Sequence, residues 1–455
     1  MASVVDLEQG RAYEGRDDRR GLAAGAGWLL HHLLSFELVF VLFLYSNEIK
    51  MFLGWIPGDE TVALGAVSIG IGGYVILREG LYLRGLFTLA AAMAFIGWAL
   101  MTVGWTPSVE LVKRTTTYLV TFNLWCVVAG GIIIANRRER VVRFLCFVAA
   151  LALCLALIGV AVYLSYGAFR RLDLWGIRRV YLGWGYTVAD GTAVLLCIAL
   201  FSRFGTPKQI VATALFGVTA FFLLVGGARA PLLGVGFACV LAFVLNPPVV
   251  GRNRFDVPVA QALAIAVFVI AACYIGYLFL SGETTNTLER FVKAFNSVED
   301  TSVAEGPSRV FYWPAAYRMW LDAPWVGNGL ASFSMLFYGR EIEGGHPHNI
   351  VLEILAEQGV VGLSFFLVFV WSAARGISFR RLRADPLLLA VIMIATTTAM
   401  SALFAKDLAG GKKIFFMIAL LALRPPPRLE EEDEDEDEEA EAPSPRRRLR
   451  PVRTP

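Results

Sequence analysis

Two of the four histidines in the chain, His346 and His348, occur in the sequence GGHPHNIVLEILAEQGVVGL at residues 344–363. They lie shortly before a long apolar run, and a neutral imidazole can accept a proton from a hydroxyl group near pH 7. His348 is the better placed of the two, because it adjoins the apolar run, whereas His346 lies in a glycine-rich turn. The pattern predicts a general base at His348, although a single histidine is more often structural than catalytic.

Three polar residues at the start of this apolar run support the hypothesis. Asn349 is predicted to be the N-cap of a helix, because its side chain can accept hydrogen bonds from the first backbone amides. Glu353 and Glu357 follow four residues apart, so both carboxylates lie on one helical face, in first turns where negative charge is favoured. They are expected to orient a histidine or to pair with an arginine. All three, together with His346, are predicted substrate-binding residues.

Arg229 lies in the sequence VGGARAPLLG, in a very short connection between two apolar runs. Gly226 and Gly227 would let backbone and ligand approach closely, and Pro231 suits the first turn of the next helix. A charged side chain near membrane depth costs free energy and usually has a function. This context favours an anion-binding role; the alternative is an arginine whose side chain extends to the membrane surface.

A second arginine, Arg309, occurs in EGPSRVFYWPAAYRMW. Gly-Pro-Ser followed by a helical aromatic pattern predicts a helix start, with Ser308 as a possible N-cap. Arg309 would then lie in the first turn, where the helix dipole opposes a cation and a bound anion would offset that cost. Arg318, in the same segment, is a weaker candidate for substrate binding. The alternative for both is an ordinary surface arginine.

The composition identifies the environment in which these residues must be positioned. Residues of types AVILMFWYC make up 57% of the 455 residues and charged residues 17%, whereas charged residues make up about 25% of soluble domains. The six cysteines all fall in apolar runs without a CxxC pair and are expected to be small buried hydrophobes. The chain is therefore predicted to be an integral membrane protein, which excludes a cytosolic enzyme, a secreted disulfide scaffold and a nucleic-acid-binding protein.

Apolar runs near the roughly 20 residues that a membrane-spanning helix needs occur throughout the chain. They lie at 28–46, 62–77, 86–105, 118–135, 141–166, 187–204, 210–226, 231–246, 259–280, 349–372, 387–404 and 408–423. The prediction is an all-α, polytopic membrane protein with about twelve transmembrane helices, of which the second, eighth and last are short.

The lysines and arginines of the short connections predict the orientation. With the N-terminus inside, every cytoplasmic connection is basic, and both termini are cytoplasmic. One outer loop, GAFRRLDLWGIRRVYLGWGY at 167–186, breaks the rule. Its basic residues are predicted substrate-binding residues because topology disfavours them there. They are Arg170, Arg171, Arg178 and Arg179.

The predicted organisation has five parts. A cytoplasmic segment at 1–27 precedes transmembrane helices one to nine at 28–280, and a large structured outer loop at 281–348 carries helical aromatic patterns. Helices ten to twelve occupy 349–423. The opposed charge blocks of 424–455 cannot bury a core and are expected to form a disordered cytoplasmic tail.

No metal site and no cofactor are predicted. The sequence contains no Walker motif, GxSxG or HExxH, and the outer loops contain no DxD. Asp59 and Glu60 are adjacent acids in an outer loop and could bind a metal, but two such residues are a weak signal. Basic outer residues without an acidic metal cradle favour an anionic substrate, and the arginine fork suits a diphosphate.

Four segments together resemble the O-antigen ligase and O-antigen polymerase superfamily. HNIVLEILAEQGVVGLSFF resembles its H-N-x-x-L-x-x-L-x-E-x-G-x-x-G motif, and DAPWVGNGLASF resembles the turn upstream of it. GPSRVFYW resembles the preceding helix start, and GGARAPLLG resembles a short outer loop with an essential arginine. The four occur in the family order over about residues 180–372.

The resemblance implies a GT-C-like fold with one large periplasmic loop and a metal-independent, inverting glycosyltransferase of the bacterial inner membrane. The implied donor is a glycan on undecaprenyl diphosphate, and the implied acceptor is a lipid or glycan hydroxyl such as that of lipid A-core. Arg229 and Arg309 would hold the diphosphate, and His348 would lie near the acceptor hydroxyl. The arginines of 170–179 would hold phosphates of a lipid donor or acceptor.

Two alternatives remain open at this point. A polymerase would use the same donor chemistry, although one large loop between helices nine and ten is more typical of the ligase. A flippase or other transporter of lipid-linked sugars would belong to a different functional class. Transporters tend to show repeats and broken helices at the membrane midplane, whereas this chain concentrates its polar residues at one outer surface.

Overall fold

The computed structural model describes residues 35–54, 58–166, 180–202, 206–225, 229–245, 249–251, 254–256 and 309–426. Several sequence predictions lie outside these residues. They concern the four arginines at 170–179, the apolar run at 259–280, the first part of the long loop at 281–308, the segment at 1–27 and the tail from residue 427.

Helices dominate the described residues. They are α1 (Phe36–Leu44), α2 (Ser46–Ile49), α3 (Glu60–Glu79), α4 (Leu83–Met101), α5 (Glu110–Ile134), α6 (Arg138–Tyr166), α7 (Val180–Phe201), α8 (Pro207–Val225), α9 (Arg229–Leu245), α10 (Arg309–Asp322), α11 (Ser332–Tyr338), α12 (Ile350–Ala374), α13 (Phe379–Ala384), α14 (Pro386–Phe404) and α15 (Lys412–Leu420). Two three-residue strands, β1 (Val249–Gly251) and β2 (Arg254–Asp256), form an antiparallel pair. Within α5, Leu119–Asn123 and Ala129–Ile134 are π-helical.

Eight of these helices are long and apolar enough to cross a membrane, and each coincides with a predicted run. They are α3, α4 with its 3-10 extension to Trp105, α5, α6, α7, α8, α12 and α14. The helical class is thereby confirmed for the described residues, and the chain is a multi-pass membrane protein. The count of twelve stays a prediction, because α1, α9 and α15 are shorter and the run at 259–280 is outside the described part.

Small residues allow the helices to pack closely, as is typical where lipid supplies no hydrophobic driving force between them. A Cβ atom on Gly85 of α4 would lie 2.1 Å from the carbonyl oxygen of Gly131 in α5. A Cβ atom on Gly191 of α7 would lie 2.1 Å from the Cβ of Ala152 in α6. Any larger side chain at these glycines would push the helices apart.

Buried ion pairs hold one end of the helix bundle together. Arg140 bridges Glu37 and Glu79, with nitrogen–oxygen distances of 2.8 and 2.6 Å. Arg138 forms a bidentate pair with Asp385 at 2.8 and 2.6 Å, and Asp385 also caps the start of α14. Glu37, which lies within the first apolar run, is therefore an ion-pair partner inside the bundle.

The other end of α14 is next to His346, and we call this the histidine end of the bundle. Asp190 of α7 is buried there and accepts hydrogen bonds from Tyr45 at 2.9 Å and Thr397 at 2.6 Å. The ammonium of Lys413 lies 2.5 Å from the same carboxylate. Asp190 therefore connects helix α7 to α14, α15 and the end of α1.

The last predicted apolar run, 408–423, differs from the observed helix. Helix α15 begins at Lys412, and the residues before it form an irregular loop. The Leu408 amide donates to Glu353, and its carbonyl accepts from the side chain of Asn123. Because side chains of other helices hold the Leu408 backbone, these residues do not need helical hydrogen bonds.

Candidate functional site

The two histidines lie side by side at the start of helix α12. Their ring centroids are 4.1 Å apart in an edge-on arrangement. Asn349 accepts hydrogen bonds from the amides of Val351 and Leu352 at 3.0 and 3.1 Å, which confirms the predicted N-cap. The cap fixes the helix start and therefore the position of the backbone from which His348 projects.

The backbone of His348 is in the left-handed region, with φ of 58°. Only a few per cent of non-glycine residues adopt such angles, and they are concentrated at sites where strain serves a function. Histidine tolerates this conformation better than most residues do. An uncommon backbone conformation of this kind is consistent with a functional His348.

An aromatic cluster that the sequence patterns did not single out lies beside His348. The ring of Tyr312, on α10, lies 5.7 Å from the imidazole ring centroid. Tyr312 packs edge-on against Phe333 and Phe337 and accepts a 2.8 Å hydrogen bond from the hydroxyl of Tyr338. Burial raises the pKa of Tyr338 above its ordinary value, so this hydroxyl remains a hydrogen-bond donor at neutral pH. The cluster fixes Tyr312, the ring beside His348, against α11.

The neighbouring His346 is held in its neutral form. Burial is the largest cause and lowers its pKa, while the charge of Asp407 and a hydrogen bond to the Ala405 backbone act in the opposite direction. A lowered pKa in the folded state means that the unfolded chain binds the proton more tightly. The His346 contribution to stability is therefore present at neutral pH and is lost as the pH falls below the ordinary histidine pKa of about 6.5 towards the lower pKa of the folded state.

The two glutamates of α12 are bound to backbone amides. Both oxygens of Glu353 accept from the Leu408 amide at 3.1 Å. Glu357 accepts from the amides of Ala331 and Phe333 at 2.8 and 3.2 Å, and so caps the start of α11. Both side chains are buried. In this structure the glutamates hold two loops in place.

Helix α12 is interrupted at Gly359, whose φ of 68° and ψ of −169° are not helical. The turn at 324–329, which belongs to the DAPWVGNGLASF segment, packs into the break, and its backbone replaces part of the hydrogen bonding of the helix. The bonds are Asn328 N to Ala356 O, Gly329 N to Glu357 O, Val360 N to Pro324 O and Val361 N to Trp325 O, at 2.8 to 3.2 Å. The turn and the histidine-bearing helix are therefore one structural unit.

Arg229 is the first residue of α9, which begins at the histidine end. Helix α6 starts at the opposite end of the bundle, so its last turns lie at the histidine end. There the ring of Tyr163 in α6 contacts the ring of Phe221 in the last turns of α8, 6.4 Å away, so α8 also ends at the histidine end. Helix α9 follows α8 after three residues. Helix α9 packs closely against α14, since a Cβ atom on Gly234 would lie 3.1 Å from Thr397. Arg229 lies five residues before Gly234, about 7.5 Å along the helix towards the histidine end.

Arg309 is the first residue of α10, so the predicted helix start is confirmed. One turn later, the ring of Trp313 contacts that of Phe404, the last residue of α14, at 6.1 Å. The end of α14 is therefore close to the starts of both α9 and α10. The side chains of Arg229 and Arg309 lie outside the described part of the structure, whereas that of Arg318 is exposed on α10.

Comparison with known proteins identifies the family to which this arrangement is similar. The O-antigen ligase family model matches residues 213–367, which include α9, α10 and the first part of α12. Residues 213–367 of the chain are thus similar to an O-antigen ligase domain. The resemblance inferred from the sequence motifs is thus confirmed.

Two relatives outline how far the similarity to O-antigen ligases extends. A putative polysaccharide ligase of Rickettsia bellii is 22% identical over 356 residues, covering 74% of this chain and 80% of that protein. An O-antigen ligase of Pseudomonas aeruginosa is 25% identical over 184 residues, covering 40% of this chain and 38% of that protein. This similarity indicates a glycan-transfer function of ligase or polymerase type, with a lipid-linked glycan substrate in a membrane.

Within the O-antigen ligase domain, the break at Gly359 is expected to be sensitive to one methyl group. A Cβ atom there would lie 2.3 Å from the carbonyl oxygen of Trp325, and the positive φ would strain any L-residue. Gly359→Ala should therefore cost roughly 3 kcal/mol of stability or more. Thermal unfolding of the detergent-solubilised protein measures this loss. The matched control is Gly217→Ala in α8, where a Cβ meets no atom within 4 Å; equal melting temperatures of the two variants would contradict the interpretation.

Polar residues just beyond the O-antigen ligase domain were missed by the sequence analysis. Lys406, Asp407, Lys412 and Lys413 lie at the histidine end, between α14 and the first turn of α15. The positive-inside rule, which singled out the outer loop at 167–186, would also have found these residues. Three lysines in eight residues on the predicted outer side break the rule in the same way.

The acids considered for metal binding have structural partners. The Asp59 carboxylate caps α3, accepting from the amides of Thr61 and Val62 at 2.9 and 3.1 Å. Glu60 pairs with Lys50 at 3.3 Å. In the described residues these contacts assign both acids to the start of α3.

Proposed function

We propose that this protein transfers a glycan from undecaprenyl diphosphate to a sugar hydroxyl of lipid A-core, as an O-antigen ligase. The observation that carries the proposal is the meeting of three elements at the end of α14. His348, with its left-handed backbone, lies at the start of α12, and helices that begin with Arg229 and Arg309 start at the same end. A base and two cations at one membrane surface match the needs of transfer from a diphosphate.

The reaction requires one proton transfer and one displacement. His348 accepts the proton of the acceptor hydroxyl, whose oxygen attacks the anomeric carbon of the donor sugar. The bond from that carbon to the diphosphate oxygen breaks, and negative charge develops on the departing diphosphate. Arg229 and Arg309 stabilise this charge, as positioned cations do for a leaving group. Attack opposite the leaving group inverts the anomeric centre, and no metal ion takes part.

The remaining predicted substrate-binding residues keep supporting functions in this proposal. Arg318 and the four arginines at 170–179 would contact phosphates of the lipid substrates near the membrane surface. His346, with its neutral ring against His348, would hold the base in position. Asn349 would act through the helix cap, and Glu353 and Glu357 through the loops that their carboxylates bind.

The site is proposed to face the periplasm, with both termini in the cytoplasm. The support is the distribution of basic residues, since the short connections at the other end of the bundle carry most of the arginines. Ion pairs Arg138–Asp385 and Arg140–Glu37 lie at that other end. A periplasmic site in the inner membrane gives access to lipid-linked glycans and to lipid A-core.

A deletion strain tests the proposed function. Loss of the gene should abolish attachment of the polymer to lipid A-core and should cause lipid-linked polymer to accumulate, and wild-type protein should reverse both effects. Capping of lipid A-core with single repeat units would instead identify a polymerase, which uses the same donor chemistry. Loss of attached polymer, with lipid-linked glycan accumulating on the cytoplasmic side, would identify a transporter.

A further inference from the structure

We propose that Lys406 binds a phosphate group of the isoprenoid diphosphate donor, as a third cation of the site. The inference rests on the proposed function for the identity of the ligand. It concerns a residue outside the matched O-antigen ligase domain, which ends at residue 367. The argument depends on the position of Lys406, on the rigidity of its loop and on the availability of its ammonium group.

The position follows from the contacts of the residues around it. Lys406 is the second residue after α14, the helix whose end adjoins the starts of α9 and α10. The backbone of the preceding residue, Ala405, forms a hydrogen bond with His346, whose ring contacts His348. The Lys406 backbone therefore lies close to His346 and to the end of α14, which adjoins the two helices that carry the proposed arginines.

The loop that carries Lys406 is firmly held. The Leu408 amide donates to both oxygens of Glu353, and the Leu408 carbonyl accepts from the side chain of Asn123 at 3.0 Å. Asp407 accepts from the Gly410 amide at 3.0 Å, which closes the turn. Asn123 lies in a π-helical stretch, a feature often found at functional sites. A loop anchored on two membrane helices can hold a charged side chain in a defined place.

The three lysines of this segment differ in how their charges are used. The Lys412 ammonium donates to the Phe43 carbonyl and the Ser46 hydroxyl, both at 2.9 Å. The Lys413 ammonium pairs with Asp190. Both groups are therefore committed to holding helices together, which leaves Lys406 as the lysine of this segment that can serve another purpose.

Lys406 has only a loose contact with an acid. Its ammonium lies 4.0 Å from a carboxylate oxygen of Glu48, at the outer limit of an ion pair, and 32% of its side chain is exposed. Glu48 is buried, and its other carboxylate oxygen has no hydrogen-bond partner in the described part of the chain. A phosphate oxygen could approach the exposed side of the ammonium while Glu48 keeps the lysine charged and directed.

The positive charge of Lys406 is also unusual at this location. Lysines are disfavoured on the outer side of a bacterial membrane protein, and a cation near membrane depth costs free energy unless it has a use. The partners of Lys412 and Lys413 supply that use. An anionic ligand supplies it for Lys406, and loss of one charge-assisted hydrogen bond should weaken binding roughly 10- to 100-fold.

The test compares variants of the full-length protein in nanodiscs. Lys406→Ala should raise both the dissociation constant for undecaprenyl diphosphate and the KM for the lipid-linked glycan by roughly 10- to 100-fold. The KM for the acceptor should not change, and Lys406→Arg should restore most of the affinity. Lys50→Ala, which removes an exposed lysine paired with Glu60 at the same end of the bundle, is the matched control and should leave donor binding unchanged.

A double variant separates ligand binding from a structural effect. Lys406→Ala leaves the buried Glu48 carboxylate without its cation, and that change alone could disturb the fold. Lys406→Ala with Glu48→Gln removes this penalty, so weak donor binding should persist in the double variant. Recovery of wild-type affinity in the double variant, or unchanged donor binding in Lys406→Ala, would overturn the proposal. A rise in the acceptor KM alone would also overturn it and would assign Lys406 to phosphates of lipid A.

The binding measurement keeps this proposal distinct from the proposed function. If the wild-type protein binds undecaprenyl diphosphate but transfers no glycan, the proposed function fails. The dissociation constants of wild type, Lys406→Ala and Lys406→Arg still decide whether Lys406 contacts the diphosphate. If transfer occurs and Lys406→Ala binds donor as wild type does, only the Lys406 site is rejected.

Discussion

His348→Asn is expected to lower glycan transfer roughly 10²- to 10⁴-fold, because a positioned general base contributes about that factor. Asparagine also tolerates a left-handed backbone, so the variant keeps the φ of 58° at this position with little strain. His348→Ala should lose as much activity and some stability in addition. Transfer from lipid-linked glycan to lipid A-core by the purified proteins, with melting temperatures measured in parallel, checks both expectations.

His346→Ala serves as the comparison for His348. Its ring is held in neutral form next to His348, so its removal should loosen the base without removing it and should cost less activity. Transfer should persist in excess EDTA if the mechanism uses no metal ion. An enzyme that needs Mg²⁺ or Mn²⁺, with His348→Asn close to wild type, would count against a histidine base.

Arg229→Ala and Arg309→Ala are each expected to reduce transfer by roughly 10²- to 10³-fold or more, since removal of one donor to a developing charge costs about that much. Lysine at either position should rescue only partly, because an ammonium group cannot bind a diphosphate through two parallel hydrogen bonds. Initial rates with lipid-linked glycan at saturating acceptor measure the effect, and membrane insertion at wild-type levels must be shown for each variant.

Arg340→Ala is the matched control for these substitutions. Arg340 is exposed and lies between α11 and α12, in the same loop as Arg309 but outside the family-like motifs. Its loss should be mild, so a comparable loss at Arg340 would indicate a general electrostatic effect of the loop. Full activity of Arg229→Ala would remove that residue from the diphosphate site and leave Arg309 and Lys406 as the proposed cations.

Local patterns were sufficient for the membrane class and for several element boundaries. The apolar runs predicted the eight spanning helices because hydropathy is summed over residues that are neighbours in the chain. The cap at Asn349 and the start of α10 at Arg309 were also predictable, since a helix start depends on the few residues around it. The family resemblance likewise rested on short contiguous motifs.

The tertiary structure decided what the glutamates of α12 do. Spacing placed Glu353 and Glu357 on one helical face, but their partners are amides 55 and 24 to 26 residues away in the chain. The break at Gly359 depends in the same way on the distant turn that contains Trp325. A carboxylate or a free amide carries no local signal of its partner, so these functions could not be predicted from spacing.

The segment between α14 and α15 shows most clearly which features the sequence determines and which the tertiary structure decides. Hydropathy extended the last apolar run back to residue 408, because it counts side chains and takes no account of backbone hydrogen bonds. In the folded chain Asn123 and Glu353 bind both polar groups of the Leu408 backbone, so α15 begins only at Lys412. The sequence by itself determined that lysines occur here; only the packing of distant helices decided that Lys406 stands beside the histidines, because that position depends on hydrogen bonds between residues far apart in the chain.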